Sequence, residues 1–232
     1  MTPDMREKYW KPLQGAHKPG AWEALDAGYR ESHRSYHTWP HVVSLLEKLD
    51  EFQALCTRPH IVATCVFWHD AVNRTQNLDG SGRADDENVS ESGELFRKYT
   101  LLSMPNADAV YDMIMATANH LHAKPVKQHY SGFGRDVDLF LDLDLSSLAS
   151  PWQEFVKDLS RIRSEFSWLP ELEFCLSQIS ILENFAREDV PLYRCSQTSK
   201  KWRAAAKANL RRCVSNLRER AAQLSSVQSG VS

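Results

Sequence analysis

The stretch IVATCVFWHDAV, from Ile61 to Val72, is apolar almost all round and closes on the pair His69-Asp70. A run so uniformly apolar has to be buried on every side, and its length favours a helix through the centre of a bundle over a buried strand. An ionised Asp at the end of such a helix is costly unless something compensates it. Two compensations are open: a metal ion, or a plain His–Asp hydrogen bond.

The rest of the chain is patterned for helices as well. Val42, Leu45, Leu46, Leu49 and Phe52 form one apolar stripe over 40–56, with Thr38 as the capping residue and Pro40 tolerated in the first turn. Helical spacing predicts further helices over 87–99, 108–120, 138–148, 152–166, 172–185 and 200–224, with Pro105, Pro125, Pro151, Pro170 and Pro191 between them. The stretch NRTQNLDGSGRADD over 73–86 reads as a loop, a lid or plain surface, and the tail SSVQSGVS reads as frayed. No hairpin signal, internal repeat or linker stands out. The expected fold is all-α, one domain over 1–232, with a core over about 22–166 and a C-terminal helical extension over about 170–225.

With 28 Lys and Arg against 30 Asp and Glu, the net charge of −2 argues against a surface built for nucleic acid. The last helix is basic, carrying Lys200, Lys201, Arg203, Lys207, Arg211, Arg212, Arg218 and Arg220. A solvated face balanced by acidic neighbours is the better reading there. The five cysteines form no C-x-x-C pair, and no apolar stretch is long enough for a membrane span. A cytoplasmic protein with reduced thiols and no membrane contact is expected.

The remaining His and Asp residues shift attention towards a metal. His33, His37 and His41 are four apart, but Pro40 prevents one continuous helix through them. His41 falls in the first turn of its own helix and points inward, while His37 lies in the loop before it. In FLDLDLSSL, Asp142 and Asp144 stand among leucines and need a cation or an N–H donor. His41, His69, Asp70 and one Asp from 142 or 144 would give two imidazoles and two carboxylates. That mixed set suits a divalent first-row ion (Mn, Co, Mg, Zn or Fe) with open positions for water and substrate.

Softer candidates surround this set. Arg34 is either a phosphate clamp or a surface salt bridge. His120, in ATANH, is a further ligand, a leaving-group acid or a helix cap. Arg163 in IRSEF reads as a structural anchor, with Glu165 two positions on. Trp39, Phe67 and Trp68 are core residues before they are base-stacking ones. His17, His60, His122 and His129 receive no role.

The order His, His-Asp, Asp is the defining pattern of the HD superfamily of metal-dependent phosphohydrolases. HRSYHTWPHV, FWHDAV, DDENVS, IMATANH, FLDLDLSSL and IRSEF occur in an order similar to the bacterial family of predicted metal-dependent HD phosphohydrolases, over roughly 22–217. The resemblance implies a helical HD bundle in which His41, His69 and Asp70 are metal ligands. Asp144-Leu145-Ser146 resembles the closing ligand of HD-type cyclic-nucleotide phosphodiesterases, so Asp144 is expected to be the fourth rather than Asp142. Two departures stand out. Asn73 replaces a Tyr, and Glu87 is followed by Asn88 where the family has two acidic residues before the Ser, here Ser90.

The implied activity is hydrolysis of a small phosphate ester or anhydride, with a nucleotide as the expected substrate. Asp70 and Glu87 are the candidate general bases, His37 or His120 the candidate acid, and Arg34 the phosphate-binding residue. One rival is a di-iron HD-type oxygenase with His120 and either His122 or His129 as extra ligands. The other is a non-catalytic nucleotide-binding regulatory module, favoured by the changes at Asn73 and Asn88. No feature of the sequence specifies an oligomeric state.

Overall fold

The computed structural model describes residues 4–121 and 134–229. Among the described residues the regular structure is helical, with two isolated bridges, His17 with Thr100 and Gln76 with Gly82. The fold is all-α, as expected. The chain divides into two compact units, Met1–Asp144 and Leu145–Ser232. The division falls earlier than the expected end of the core near residue 166, because the helix that follows residue 150 packs on the 3-10 turn Leu145–Ala149.

The first unit holds α1 (Met5–Leu13), α2 (Ala21–Tyr29), α3 (Trp39–Phe52), α4 (Pro59–Trp68), α5 (Asp85–Tyr99), α6 (Met104–Ala116) and α7 (Gly134–Asp144). Helix α4 is its axis: every residue from Ile61 to Trp68 is buried, and α1, α3, α5, α6 and α7 all pack against it. The N-terminal helix also belongs to the core, ahead of the expected start near residue 22, since Tyr9, Trp10 and Leu13 are buried. Trp39, Phe67 and Trp68 are buried as well; Trp39 stacks on Trp22 with ring centroids 5.0 Å apart, and Trp68 stacks on Tyr99 at 5.9 Å. They are packing residues, unavailable to a base.

Local chemistry fixes the helix ends. Thr38 takes the N-cap position of α3 with extended backbone, but its hydroxyl donates to the Tyr36 carbonyl at 3.4 Å and makes no cap bond. Pro40 sits in the first turn, where its missing N–H costs nothing. At the head of α4 the amides of Thr57 and Arg58 donate to the buried Asp136 carboxylate at 2.7 and 3.0 Å. A side chain of α7 thus caps α4, which fixes the two helices that carry His69 and Asp144 against one another. Helix α4 stops at Trp68, four residues short of the expected Val72, because side chains capture the carbonyls that would continue it. Helices α5, α6 and α7 each begin two to four residues before the predicted starts.

The second unit holds α8 (Trp152–Glu165), α9 (Glu171–Ala186) and α10 (Ser196–Ser229). Helices α9 and α10 run antiparallel, with Arg220 on Glu171, Arg218 on Glu183, and Arg211 and Arg203 on Glu188. The basic face of α10 is therefore matched by acidic residues beside it. Lys207 is buried and its ammonium donates to the carbonyls of Phe185, Arg187 and Val190, capping the C-terminus of α9. Arg163 bonds the carbonyls of Phe166 and Leu169, the anchoring role expected of it. The helix continues through Ser229 where a frayed tail from residue 225 was expected. No described helix is long and apolar enough to cross a membrane.

Candidate metal centre

All four expected ligands meet in the first unit. His41 comes from the first turn of α3, His69 and Asp70 from the end of α4, and Asp144 from the last residue of α7. His41 Nε2 lies 3.3 Å from His69 Nε2, 3.5 Å from Asp70 Oδ2 and 3.3 Å from Asp144 Oδ1. His69 Nε2 lies 2.9 Å from Asp70 Oδ2 and 3.5 Å from Asp144 Oδ1. Donor atoms about 2.1 Å from a shared ion stand about 3.0 Å apart at octahedral angles and about 3.4 Å apart at tetrahedral ones. The five histidine spacings above fall close to that range. His41, His69 and Asp70 form a group able to hold a metal ion, and Asp144 lies beside both histidines.

The protonation pattern agrees with the geometry. His69 Nδ1 donates to the Val66 carbonyl at 3.0 Å, which fixes the tautomer and leaves the Nε2 lone pair facing the cluster. Burial opposes a charge on His69, yet Asp70 and Asp144 outweigh it and raise the imidazole well above its ordinary value. Burial likewise opposes the two carboxylates. His69, His37 and His41 hold Asp70 below the usual range, and His69, His120 and His41 do the same for Asp144. The pocket thus calls for a positive charge at one point, from a proton or a cation.

Around this core the softer candidates fall into place or out of it. His120 follows the 3-10 turn Thr117–Asn119 after α6, and its Nε2 lies 2.7 Å from Asp144 Oδ2. It belongs to the site. His37 precedes α3, its ring edge-on to Tyr36 at 4.9 Å, and its charge acts on Asp70. Of the two candidate aspartates near the end of α7, Asp142 is buried and Asp144 is the one whose Oδ1 lies beside His41 and His69.

Arg34 is not a phosphate clamp. Its side chain is fully buried and all five N–H donors are used: on Glu31 from Nε and Nη2, on the carbonyls of His37 and Asp70 from Nη1, and on the Ala71 carbonyl from Nη2. A guanidinium so engaged has nothing left for a substrate. The salt-bridge alternative is closer, but the bridge is buried.

Glu87 is displaced too. It is half-exposed and pairs with Arg83 at 3.5 Å, one turn back. The acidic group of α5 that feels the cluster is Asp85, in its first turn. Asp85 is open to solvent, yet desolvation and then the charge of Asp70 push its carboxyl up, while His37 and His120 pull it down. The sequence held a sign of this in the run Asp85-Asp86-Glu87, since three acids at a helix start leave the one facing inward undecided until the helix phase is known. Asn88 takes a structural place. Its side-chain amide donates to the Arg74 carbonyl at 2.8 Å and accepts from the Arg74 amide at 3.1 Å.

His122 and His129, the extra ligands of the di-iron alternative, lie outside the described residues. Neither a scan against protein-family models nor a search of curated proteins found a match.

Proposed function

We propose that the chain is a metal-dependent phosphohydrolase acting on a small phosphate ester or anhydride, with a nucleotide as the expected substrate. One observation carries this reading: His41 Nε2 and His69 Nε2 lie 3.3 Å apart, and each stands 2.9 to 3.5 Å from one carboxylate oxygen of Asp70 and one of Asp144. The ordered resemblance to HD phosphohydrolases supports it. A divalent ion in such a donor set supplies Lewis acidity and a water of lowered pKa.

The residues around the set divide the remaining work. Asp85, in the first turn of α5 with its carboxyl pushed up by desolvation, takes the proton-accepting place expected of Glu87, while Asp70, held below the usual range, is a ligand rather than the base expected of it. His120, hydrogen-bonded to Asp144, gives a proton to the departing oxygen in this reading, with His37 as the other candidate acid. Arg34 does not bind phosphate in this reading. Five free thiols agree with a reducing, cytoplasmic setting.

A second reading draws on Asp144, whose Oδ1 faces His41 while Oδ2 faces His120. A carboxylate split in this way suits a bridge between two ions, as a di-iron oxygenase requires. Elemental analysis of protein purified without a metal-affinity tag, then reloading with Mn²⁺, Co²⁺, Mg²⁺ or Zn²⁺ and assay on a nucleotide panel, separates the two. About one ion per chain with metal-dependent phosphate release is the expected result. Two irons without phosphate release would establish the oxygenase, and protein that takes up no ion would end both readings.

A further inference from the structure

His69 and Asp70 sit on a stretch of chain that is neither helix nor strand. Beyond Trp68 the main chain keeps few regular bonds, among them His69 N to the Cys65 carbonyl at 2.9 Å and Ala71 N to the Trp68 carbonyl at 3.2 Å. Its other polar atoms are taken by side chains from three separate places. From the end of α2, the Tyr29 hydroxyl donates to the Phe67 carbonyl at 3.0 Å. From the loop before α3, Arg34 donates to the carbonyls of Asp70 at 2.7 Å and Ala71 at 3.0 Å, and His33 Nε2 donates to that of Asn73 at 2.7 Å. From α5, Ser92 Oγ bonds both the amide and the carbonyl of Val72, at 3.0 and 3.2 Å, and Asn88 does the same for Arg74.

Arg34 is central to this arrangement. It is the one of these side chains that reaches the main chain of a ligand residue, Asp70, and the same Nη1 reaches the carbonyl of His37 at 3.3 Å. One buried cation therefore ties the loop bearing His37 to the segment bearing His69 and Asp70. Its charge lies at the C-terminus of α4, where the helix dipole favours it, and Glu31 holds the guanidinium in plane.

We propose that Arg34 is a positioning residue for the metal centre, and that the side chains clamping residues 67–74 set the geometry in which His69 and Asp70 meet an ion. The proposal rests on the metal reading above for its functional half; the clamp itself is testable without metal. Outer partners of metal ligands typically change affinity by about 10- to 100-fold when removed.

The test compares wild type with Arg34→Lys, which keeps the charge and loses the fork, Asn88→Ala, which releases Arg74 and also takes an acceptor from Arg83 Nε, and Lys207→Met, which weakens the second unit away from the site. Each protein is stripped of metal and titrated with Co²⁺, read by its visible absorption, and amide exchange at Val72 and Arg74 is followed in the metal-free state. Arg34→Lys is expected to weaken Co²⁺ binding at least about tenfold, to alter the band shape, and to speed exchange at both amides. Asn88→Ala should speed exchange at Arg74 and weaken Co²⁺ in the same direction, which keeps the test decisive if the lysine variant fails to fold. Lys207→Met should lower the melting temperature yet keep the wild-type Co²⁺ affinity and spectrum.

Unchanged Co²⁺ affinity and spectrum in Arg34→Lys and Asn88→Ala, or an equal loss in Lys207→Met, would overturn the proposal. If wild type takes up no Co²⁺, the metal reading fails on its own account. Protection at Val72 and Arg74 then decides whether the clamp stands: lost in Arg34→Lys it does, retained it does not.

Discussion

Asp144 and His120 are joined at 2.7 Å through Oδ2 and Nε2, while the other oxygen of the same carboxylate faces His41 at 3.3 Å. In the proposed centre the carboxylate serves the ion with one atom and orients an imidazole with the other. Asp144→Ala should abolish both metal uptake and phosphate release. His120→Ala should keep about one ion per chain and lose about 10²-fold in turnover, the size of a missing general acid. Metal analysis beside single-turnover assays checks this, and loss of the ion in His120→Ala would make that histidine a ligand instead.

His69→Ala and Asp70→Ala should each remove bound metal while leaving helical content close to wild type. Helix α4 is held by its apolar residues from Ile61 to Trp68, and both changes fall beyond its last turn. Circular dichroism with elemental analysis reads the two effects together. Full metal content in either variant would sink the proposed centre.

Protons and metal should compete at His69. Its folded value is raised, so without metal its contribution to stability is complete below the unfolded value of about 6.5 and is lost as pH rises through the folded value. Asp70 and Asp144 are lowered, so theirs is present above about 4 and lost as pH falls. Metal-free protein is therefore expected to be most stable between about pH 4 and 6.5 as far as this cluster governs. An ion must displace the His69 proton, so apparent Co²⁺ affinity should climb by up to about tenfold per pH unit until the folded value is passed. Titrations at a series of pH values measure the slope. A flat profile would show that His69 is already neutral.

Gly28→Ala probes the packing beneath the site. A Cβ on Gly28 would stand 2.6 Å from the Ala71 carbonyl oxygen, and since that atom is backbone, the segment itself has to move. The expected cost is about 1 to 3 kcal/mol by denaturant titration, with weaker Co²⁺ binding alongside. Wild-type stability and affinity together would mean that the segment shifts freely.

In the second unit, Lys207→Met should cost about 3 kcal/mol, because it strips the carbonyls of Phe185, Arg187 and Val190 of their donor. Amide exchange should report the loss near the end of α9 first. A change under about 0.5 kcal/mol would show that water replaces the ammonium without penalty.

What the sequence disclosed followed from how local each signal is. The run from Ile61 to Trp68 announces a buried helix by composition alone, and two polar residues at its end announce a site. Asp144 over Asp142 and Asp85 over Glu87 both depend on helical phase, which shifts with a start two to four residues earlier than the apolar pattern marks. Thr38 was found as a cap by type, but its hydroxyl had a nearer acceptor in Tyr36. Arg34 was the least legible. Two of its five bonds go to main-chain oxygens more than thirty residues away, and a carbonyl looks the same in every residue type.

That last point bears on which substitutions the chain can absorb. The clamps on residues 72–74 grip amides and carbonyls, so the side chains at Val72 and Arg74 are free to drift without loosening the ligands, and Asn73 serves through its carbonyl. The restriction falls instead on distant positions: Arg34, Asn88 and Ser92, whose exchange would be felt at the metal centre although none of them touches it. A variant library over 72 and 74 and a second over 34, 88 and 92 should therefore show opposite tolerance, permissive in side chains beside the ligands and strict in the residues that hold the segment.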